Sequence, residues 1–292
     1  MPPTLQTKPT KRLRVHGDVN IQLYGKPLDF RYRWIGDDPT GESNVARADL
    51  ETLQAIAEEN GLTDILVPNL SESNTRITTA DEFEPTISIG NVTIHRGVAT
   101  DGVILPPDSP TVGALFRTAD CHTTVVKCHR TGEVYVLHTG RNSLVDHNLH
   151  RAPSSSRDFD SVVQRLMTQF ASYPGCSPED LSAHSVCGIR ASMFKHPFDR
   201  ADYGTFNEIL TNYIQTRWGS FVTNTLIPGR RREGCIDVRA LVQAQFREYN
   251  VRAEYDTICT ASDLSPTGAH QWHSHRRDGN ASGRNGILVF SG

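Results

Sequence analysis

A cysteine and a histidine flank a short predicted hairpin and could share one reaction centre. Two β-rich runs meet at the turn 130–133, with Cys121 just before the first run and His138 inside the second. Pairing the runs about this turn places Cys121 roughly opposite Gly140 and His138 roughly opposite Thr123. Because side chains alternate along a strand, Cys121 and His138 are expected on one face of the sheet, about 5 to 8 Å apart.

These two residue types define the possible chemistry. A thiol and an imidazole on one face can form a metal site, or a thiolate nucleophile with a neighbouring base. In the second case Ser73 or Asp120 is expected to orient the pair. His122 is expected to point to the opposite face. The structural alternative is a buried cysteine beside a hydrogen-bonded histidine in a β-sheet core.

Binding chemistry is concentrated in a basic loop near the C-terminus. Guanidinium groups hold phosphate or carboxylate through paired hydrogen bonds, and glycines let backbone amides approach the same anion. Five arginines are candidates for binding an anion, three in the loop and two after strands that lead towards it: Arg276, Arg277, Arg284, Arg141 and Arg190. The alternative for the loop is an internal cluster of salt bridges with Asp278.

Several short motifs, taken in their order and spacing, resemble one known family. The principal ones are Thr118-Ala-Asp-Cys121, His138-Thr-Gly140 and the run Ser274 to Gly279 followed by Gly283-Arg284. They are similar to the laccase-domain family, also called multicopper polyphenol oxidoreductases or YfiH-like proteins. The resemblance covers roughly residues 20 to 292. Weaker matches are Gly36-Asp-Asp-Pro39, Thr100-Asp-Gly102, Asp237-Val-Arg239 and Cys259-Thr260.

The resemblance implies a fold and an activity. The implied fold is a single three-layer α/β/α domain with a mixed sheet over residues 20–292, preceded by a disordered or extended leader over residues 1–19. The implied activity is phosphorolysis of purine nucleosides at a zinc ion held by two histidines and one cysteine. Carried over to this chain, two of the zinc ligands are Cys121 and His138.

The third implied ligand is missing, so this chain is a divergent member. Ser73 stands where the resemblance places a histidine. Two protein ligands rarely hold zinc firmly, and a serine hydroxyl is a poor substitute for imidazole. His95, in a strand-like run before Thr100-Asp-Gly102, is the one candidate replacement. The cofactor prediction therefore stays open between a zinc site and a metal-free centre.

Three functions are compatible with these residues. The first is a purine nucleoside phosphorylase-like transferase that cleaves the glycosidic bond by phosphorolysis or hydrolysis. The second is a metal-free cysteine hydrolase or transferase of a specialised biosynthetic pathway, in which His138 deprotonates Cys121. The third is a non-catalytic relative that binds a ligand. In the first case the partners are small molecules, a nucleoside and phosphate.

Composition limits the class of protein. The chain has 292 residues, of which 37% are hydrophobic and 22% charged, which is typical of a globular domain. A net charge of −3 disfavours nucleic acid or an anionic membrane as partner. Without an apolar run of membrane-spanning length or a signal peptide, the expected location is cytoplasmic. Six cysteines without close pairs predict reduced thiols. The oligomeric state is not indicated.

Hydrophobic periodicity independently predicts an α/β fold. Helices alternate with single strands and hairpins, which indicates a mixed sheet covered on both faces. Four helices are predicted, over 45–59, from 158 or 161 to 170, over 202–218 and over 238–249. The predicted strands cover 86–89, 103–105, 112–117, 123–128, 134–139, 184–188 and 286–290.

Overall fold

The structure is a computed structural model. It describes residues 7–30, 47–70, 75–146, 159–219, 223–225, 233–279 and 283–292. Ser73 and the motif at 36–39 lie outside these ranges. Within them, no helix is long and apolar enough to cross a membrane.

The described residues form sixteen strands and six α-helices. The strands are β1 (Lys11–Val15), β2 (Val19–Tyr24), β3 (Asp64–Asn69), β4 (Ile77–Thr79), β5 (Glu84–Ile89), β6 (Val92–Ala99), β7 (Gly102–Leu105), β8 (Val112–Thr118), β9 (His122–Cys128), β10 (Val134–Thr139), β11 (Leu181–Val186), β12 (Lys195–Pro197), β13 (Thr223–Thr225), β14 (Glu233–Ile236), β15 (Arg252–Tyr255) and β16 (Asn285–Ser291). The helices are α1 (Arg47–Glu59), α2 (Arg141–Leu144), α3 (Val162–Phe170), α4 (Gly204–Trp218), α5 (Val238–Arg247) and α6 (His275–Asp278).

These strands form two large sheets and one small one. The seven-stranded sheet has the order β1-β2-β16-β8-β3-β6-β5, and the six-stranded sheet has the order β15-β11-β9-β10-β7-β4. Both are mixed, since β3 pairs in parallel with β6 and β8, and β11 pairs in parallel with β15. The small sheet is antiparallel, with the order β12-β14-β13.

Three apolar clusters lie between the layers. One contains Phe116 of β8 and Val136 of β10, so it fills the space between the two large sheets. The second joins Ile56 of α1 to Ile65 of β3 on the outer face of the seven-stranded sheet. The third packs α3, through Leu166, and α5 against the six-stranded sheet. The α/β class with mixed sheets is therefore confirmed, but the strands divide into two sheets, so the layers run helix, sheet, sheet, helix.

The hairpin that carries the candidate centre has the predicted register. Strands β9 and β10 are antiparallel, and His138 lies opposite Thr123. Cys128 and Glu133 close the turn through a backbone hydrogen bond of 3.0 Å. Gly132, at φ +79°, supplies the left-handed residue that this turn needs.

Two helices begin at side-chain caps. The Ser161 side chain accepts a hydrogen bond from the backbone of Gln164 at the start of α3. The Asp237 side chain accepts a hydrogen bond from the backbone of Ala240 at the start of α5. Such caps satisfy amides that have no partner within the helix.

The amino-terminal prediction requires a correction. The leader predicted over 1–19 contains β1, which pairs with β2 at the edge of the seven-stranded sheet. The predicted boundary at residue 20 falls inside β2. Val19 and Ile21 are fully buried, so burial of apolar side chains holds this hairpin on the domain.

Candidate functional site

The candidate centre spans three adjacent strands of the six-stranded sheet. Asp101 lies just before β7, His138 lies in β10, and Cys121 lies just before β9. Strand β10 pairs with β7 on one side and with β9 on the other. His138 projects from the same face of β10 as Val136, towards the space between the large sheets. The three side chains therefore meet where neighbouring strands end.

Gly140 brings the thiol and the imidazole together. A Cβ atom added at Gly140 would lie 2.9 Å from Sγ of Cys121 and 3.0 Å from Nε2 of His138. Both reactive atoms thus surround the position that a side chain would occupy. The prediction that Cys121 and His138 share one face is confirmed by this geometry.

Asp101 orients the imidazole from its other side. Nδ1 of His138 lies 2.9 Å from Oδ1 of Asp101, and the backbone amide of His138 donates to the Asp101 carbonyl at 2.7 Å. The Asp101 side chain is fully buried, whereas that of His138 is 15% exposed. A carboxylate on Nδ1 leaves Nε2 directed at Cys121. The result is a cysteine, histidine and aspartate in series.

The electrostatics keep a proton on His138. Burial by itself lowers the pKa of His138, but the charge of Cys121 and hydrogen bonds to Asp101 and Cys121 outweigh it, raising the pKa to about 10. Burial raises the pKa of Asp101, while the contact with His138 acts in the opposite direction. At neutral pH the centre therefore holds an imidazolium between two acidic groups.

The orienting residue differs from the one expected. Asp120 does not orient the pair: its carboxylate accepts hydrogen bonds from the Thr260 hydroxyl and the Arg276 amide, each at 2.8 Å. Ser73 lies outside the described residues. Sequence reasoning missed Asp101, although the motif 100–102 was noted. Pairing β7 with β10 would have identified it.

His122 faces away from the centre, as expected. It is fully buried, and its Nε2 lies 3.3 Å from the Ile189 carbonyl. A Cβ at Gly188 would overlap this ring, so only glycine leaves room for the imidazole. Burial, together with the charge of Arg239, lowers the pKa of His122 to about 3. It is a neutral core residue.

Arg276 is the arginine best placed to bind an anion near the thiol. Its backbone amide is held by Asp120, the neighbour of Cys121, and its guanidinium lies over Phe194 at 4.7 Å from the ring centroid. Burial lowers the pKa of Arg276, and the charges of Asp120, Tyr203 and Cys121 oppose this effect. Its guanidinium makes no hydrogen bond or ion pair with any described residue. Arg141, at the start of α2, lies over Phe206 at 5.6 Å.

Three other predicted anion-binding arginines have structural contacts instead. Arg277 donates to Asp278 and to the carbonyls of Thr260, Ala261 and Trp272. Arg190 donates to the Thr257 carbonyl at 2.7 Å and lies 3.8 Å from Asp263. Arg284 is fixed through its amide to Asp29 and donates to the Gly283 carbonyl. The alternative of an internal salt-bridge cluster is therefore correct for Arg277.

The described residues do not fit a metal site of the expected kind. Cys121 and His138 are two suitable donors, and Asp101 supports His138 as a carboxylate commonly supports a metal-bound histidine. Yet no three His, Cys, Asp or Glu side chains in the described ranges are grouped to hold an ion. His95 is not a third ligand, because it lies in β6 of the other sheet and bonds Asp64 at 2.7 Å. Two donors are fewer than zinc sites use.

Replacing Gly140 with alanine is expected to separate the reactive pair. The new methyl group would lie within 3.0 Å of both Sγ and Nε2, so one side chain must move. A displacement of this size costs about 100-fold in turnover. Turnover and the alkylation rate of Cys121 should both fall, with little change in melting temperature. As a control, Gly17→Ala, at φ +88° with no atom within 4 Å, should affect stability alone. Unchanged turnover in Gly140→Ala would contradict this geometry.

Comparison with known proteins supports the α/β fold with mixed sheets. The family model described as "Multi-copper polyphenol oxidoreductase laccase" matches residues 74–291. This chain belongs to the laccase-domain family. Among solved structures, Bacillus licheniformis hypothetical protein YfiH is similar with a TM-score of 0.64 and 13% identity, over 94% of this chain and 93% of that chain. YlmD from Geobacillus stearothermophilus is similar with a TM-score of 0.64 and 15% identity, over 94% of this chain and 92% of that chain. A search of curated proteins finds no match.

Family membership means that the candidate centre lies within a laccase-domain fold. At these identities the two solved structures show the fold alone. The matched region of this laccase-domain chain contains Asp101, Cys121 and His138, and also the loop that bears Arg276. All six cysteines are free thiols. The chemistry of this member is therefore set by its own side chains.

Proposed function

We propose that this laccase-domain protein is an enzyme that cleaves the glycosidic bond of a purine nucleoside or nucleoside-like substrate. Phosphate is the expected acceptor, with water as the alternative. The observation that supports this proposal is the series Cys121, His138 and Asp101, in which a protonated imidazole lies between a thiol and a carboxyl group.

This arrangement suits the charge changes of the reaction. As the bond between sugar and base breaks, positive charge develops on the sugar and negative charge on the departing base. His138 can donate its Nε2 proton to a base nitrogen, and the negative charge of Cys121 can stabilise the sugar cation. Asp101 holds the imidazole in the required orientation.

Arg276 provides the positive charge that would bind phosphate. Its guanidinium makes no hydrogen bond with the described residues, and Cys121 is among the charges that act on it. A phosphate bound there would lie next to the centre, with its charge neutralised by arginine. Attack by a phosphate oxygen on the sugar carbon would then give a sugar phosphate and the free base.

The test is a screen of purine nucleosides with and without inorganic phosphate. Free base and sugar phosphate are followed by liquid chromatography. We expect base release that depends on phosphate and is lost in His138→Gln. Base release without phosphate would indicate hydrolysis. Absence of release from every nucleoside would contradict the proposed reaction.

A second candidate is a thiol-dependent hydrolase or acyl transferase. The favouring observation is that Asp101, His138 and Cys121 also form the arrangement that activates a cysteine nucleophile. In that case the sulfur of Cys121 bonds to the substrate. Mass spectrometry of protein quenched during turnover distinguishes the two candidates, because only the second adds mass at Cys121.

A further inference from the structure

A buried histidine with one unpartnered nitrogen lies beside the candidate centre. His196, in β12 of the small sheet, is 1% exposed. Its Nδ1 lies 3.0 Å from the Phe194 carbonyl, so Nδ1 carries the hydrogen. Its Nε2 is buried and has no hydrogen-bond partner among the described residues. Burying an acceptor that loses water without gaining a donor is unfavourable, so this nitrogen is a candidate for contact with a ligand.

The surroundings of His196 are cationic and aromatic. Its ring packs edge-on against Phe194, with centroids 4.5 Å apart, and Phe194 lies under the guanidinium of Arg276. Burial, together with the charges of Arg141 and Arg276, lowers the pKa of His196 well below its usual value. The imidazole is therefore neutral at physiological pH and offers only a lone pair at Nε2.

This cluster is connected to the thiol. The Asp120 carboxylate fixes the Arg276 amide, and Asp120 is adjacent to Cys121 in sequence. Arg141 follows His138 by three residues at the start of α2. Two cations and one neutral acceptor thus stand at the edge of the Cys121 and His138 centre.

We propose that Arg141, His196 and Arg276 form a subsite for inorganic phosphate, in which Nε2 of His196 accepts a hydrogen bond from the P–OH group. The guanidinium groups of Arg276 and Arg141 bind the unprotonated oxygens. Sulfate has the same double negative charge at about pH 8 but no proton to donate. The subsite therefore selects phosphate over sulfate, and this inference rests on the proposed function by naming the residues that recognise its acceptor.

The test is isothermal titration calorimetry of the full chain with inorganic phosphate and with sulfate at about pH 8. We expect phosphate to bind at least about tenfold more tightly, because sulfate leaves Nε2 unpartnered. In His196→Leu the two ions should bind almost equally, whereas His196→Gln, whose Oε1 is an acceptor, should retain the preference. Arg276→Gln should weaken both ions by a similar factor of about ten.

Matched controls make the outcome decisive. Arg252→Gln, at an arginine 84% exposed on β15, should leave both affinities unchanged. Equal binding of phosphate and sulfate by the unmodified protein, or binding of neither ion, would overturn the proposal even if His196→Leu failed to fold. A phosphate preference without nucleoside cleavage would refute the proposed function but retain the subsite. Nucleoside cleavage by water, without phosphate binding, would refute the subsite but retain the proposed function.

Discussion

Replacing Cys121 with alanine is expected to reduce nucleoside cleavage by at least about a thousandfold. The charge of Cys121 is the largest of the effects that raise the pKa of His138, and loss of the sulfur also removes stabilisation of the sugar cation. Without that charge the pKa of His138 should fall, so less of the proton donor is present at neutral pH. The measurements are kcat for the alanine variant and a nuclear magnetic resonance titration of His138 in metal-stripped protein.

Selective alkylation provides the control for Cys121. Cys121, which lies beside the protonated His138, should react with iodoacetamide faster than Cys176 or Cys235, because burial raises the pKa of both these partly exposed thiols. Modified protein should lose activity in proportion to labelling at Cys121. Metal analysis of the unmodified and alanine proteins belongs to the same experiment. Stoichiometric zinc that disappears with Cys121 would show a ligand contributed from outside the described residues.

Replacing Asp101 with asparagine is expected to lower kcat by about 10² to 10⁴. Asparagine keeps the shape of the side chain but removes the charge and can present a donor to Nδ1, which turns the imidazole to the wrong tautomer. Asp101 raises the pKa of His138, so the variant should have a lower pKa there. Since activity requires protonated His138, the alkaline fall in the pH profile should move to lower pH.

A second aspartate–histidine pair provides the matched control. Asp64 lies 2.7 Å from His95 in the other sheet. Asp64→Asn breaks a similar hydrogen bond at a distance from the centre and should leave kcat and its pH profile unchanged. An Asp101→Asn variant with normal activity and an unshifted profile would show that Asp101 plays no part in turnover.

Local elements were predictable because their signals are local. The register of β9 and β10 follows from one short turn and the two-residue period of strands, so the meeting of Cys121 and His138 could be derived. The caps at Ser161 and Asp237 are short polar side chains immediately before apolar periodicity. Hydrophobic periodicity and the resemblance to the laccase-domain family each indicated the α/β class. The amino-terminal hairpin was missed, because its burial depends on β16, at the far end of the chain.

Side chains fixed by distant segments were not predictable in this way. Five arginines looked alike in sequence, yet Arg277 bonds carbonyls that lie up to seventeen residues away, and Arg276 lies on the ring of Phe194, just before β12. Asp101 joins His138 from the segment before β7, thirty-seven residues earlier. His196 gave no signal, since an unpartnered nitrogen becomes visible only when burial and partners are known.

The sequence by itself determined the two reactive residue types, their common strand face and the helices and hairpins that frame them. Those properties depend on backbone periodicity and turn chemistry over about twenty residues. The tertiary structure decided the division into two sheets, the choice of Asp101 as the orienting carboxylate and the separation of structural arginines from Arg276. Each depends on which segments far apart in the chain come into contact, because burial and hydrogen bonding with those segments set the charge and orientation of every side chain at the centre.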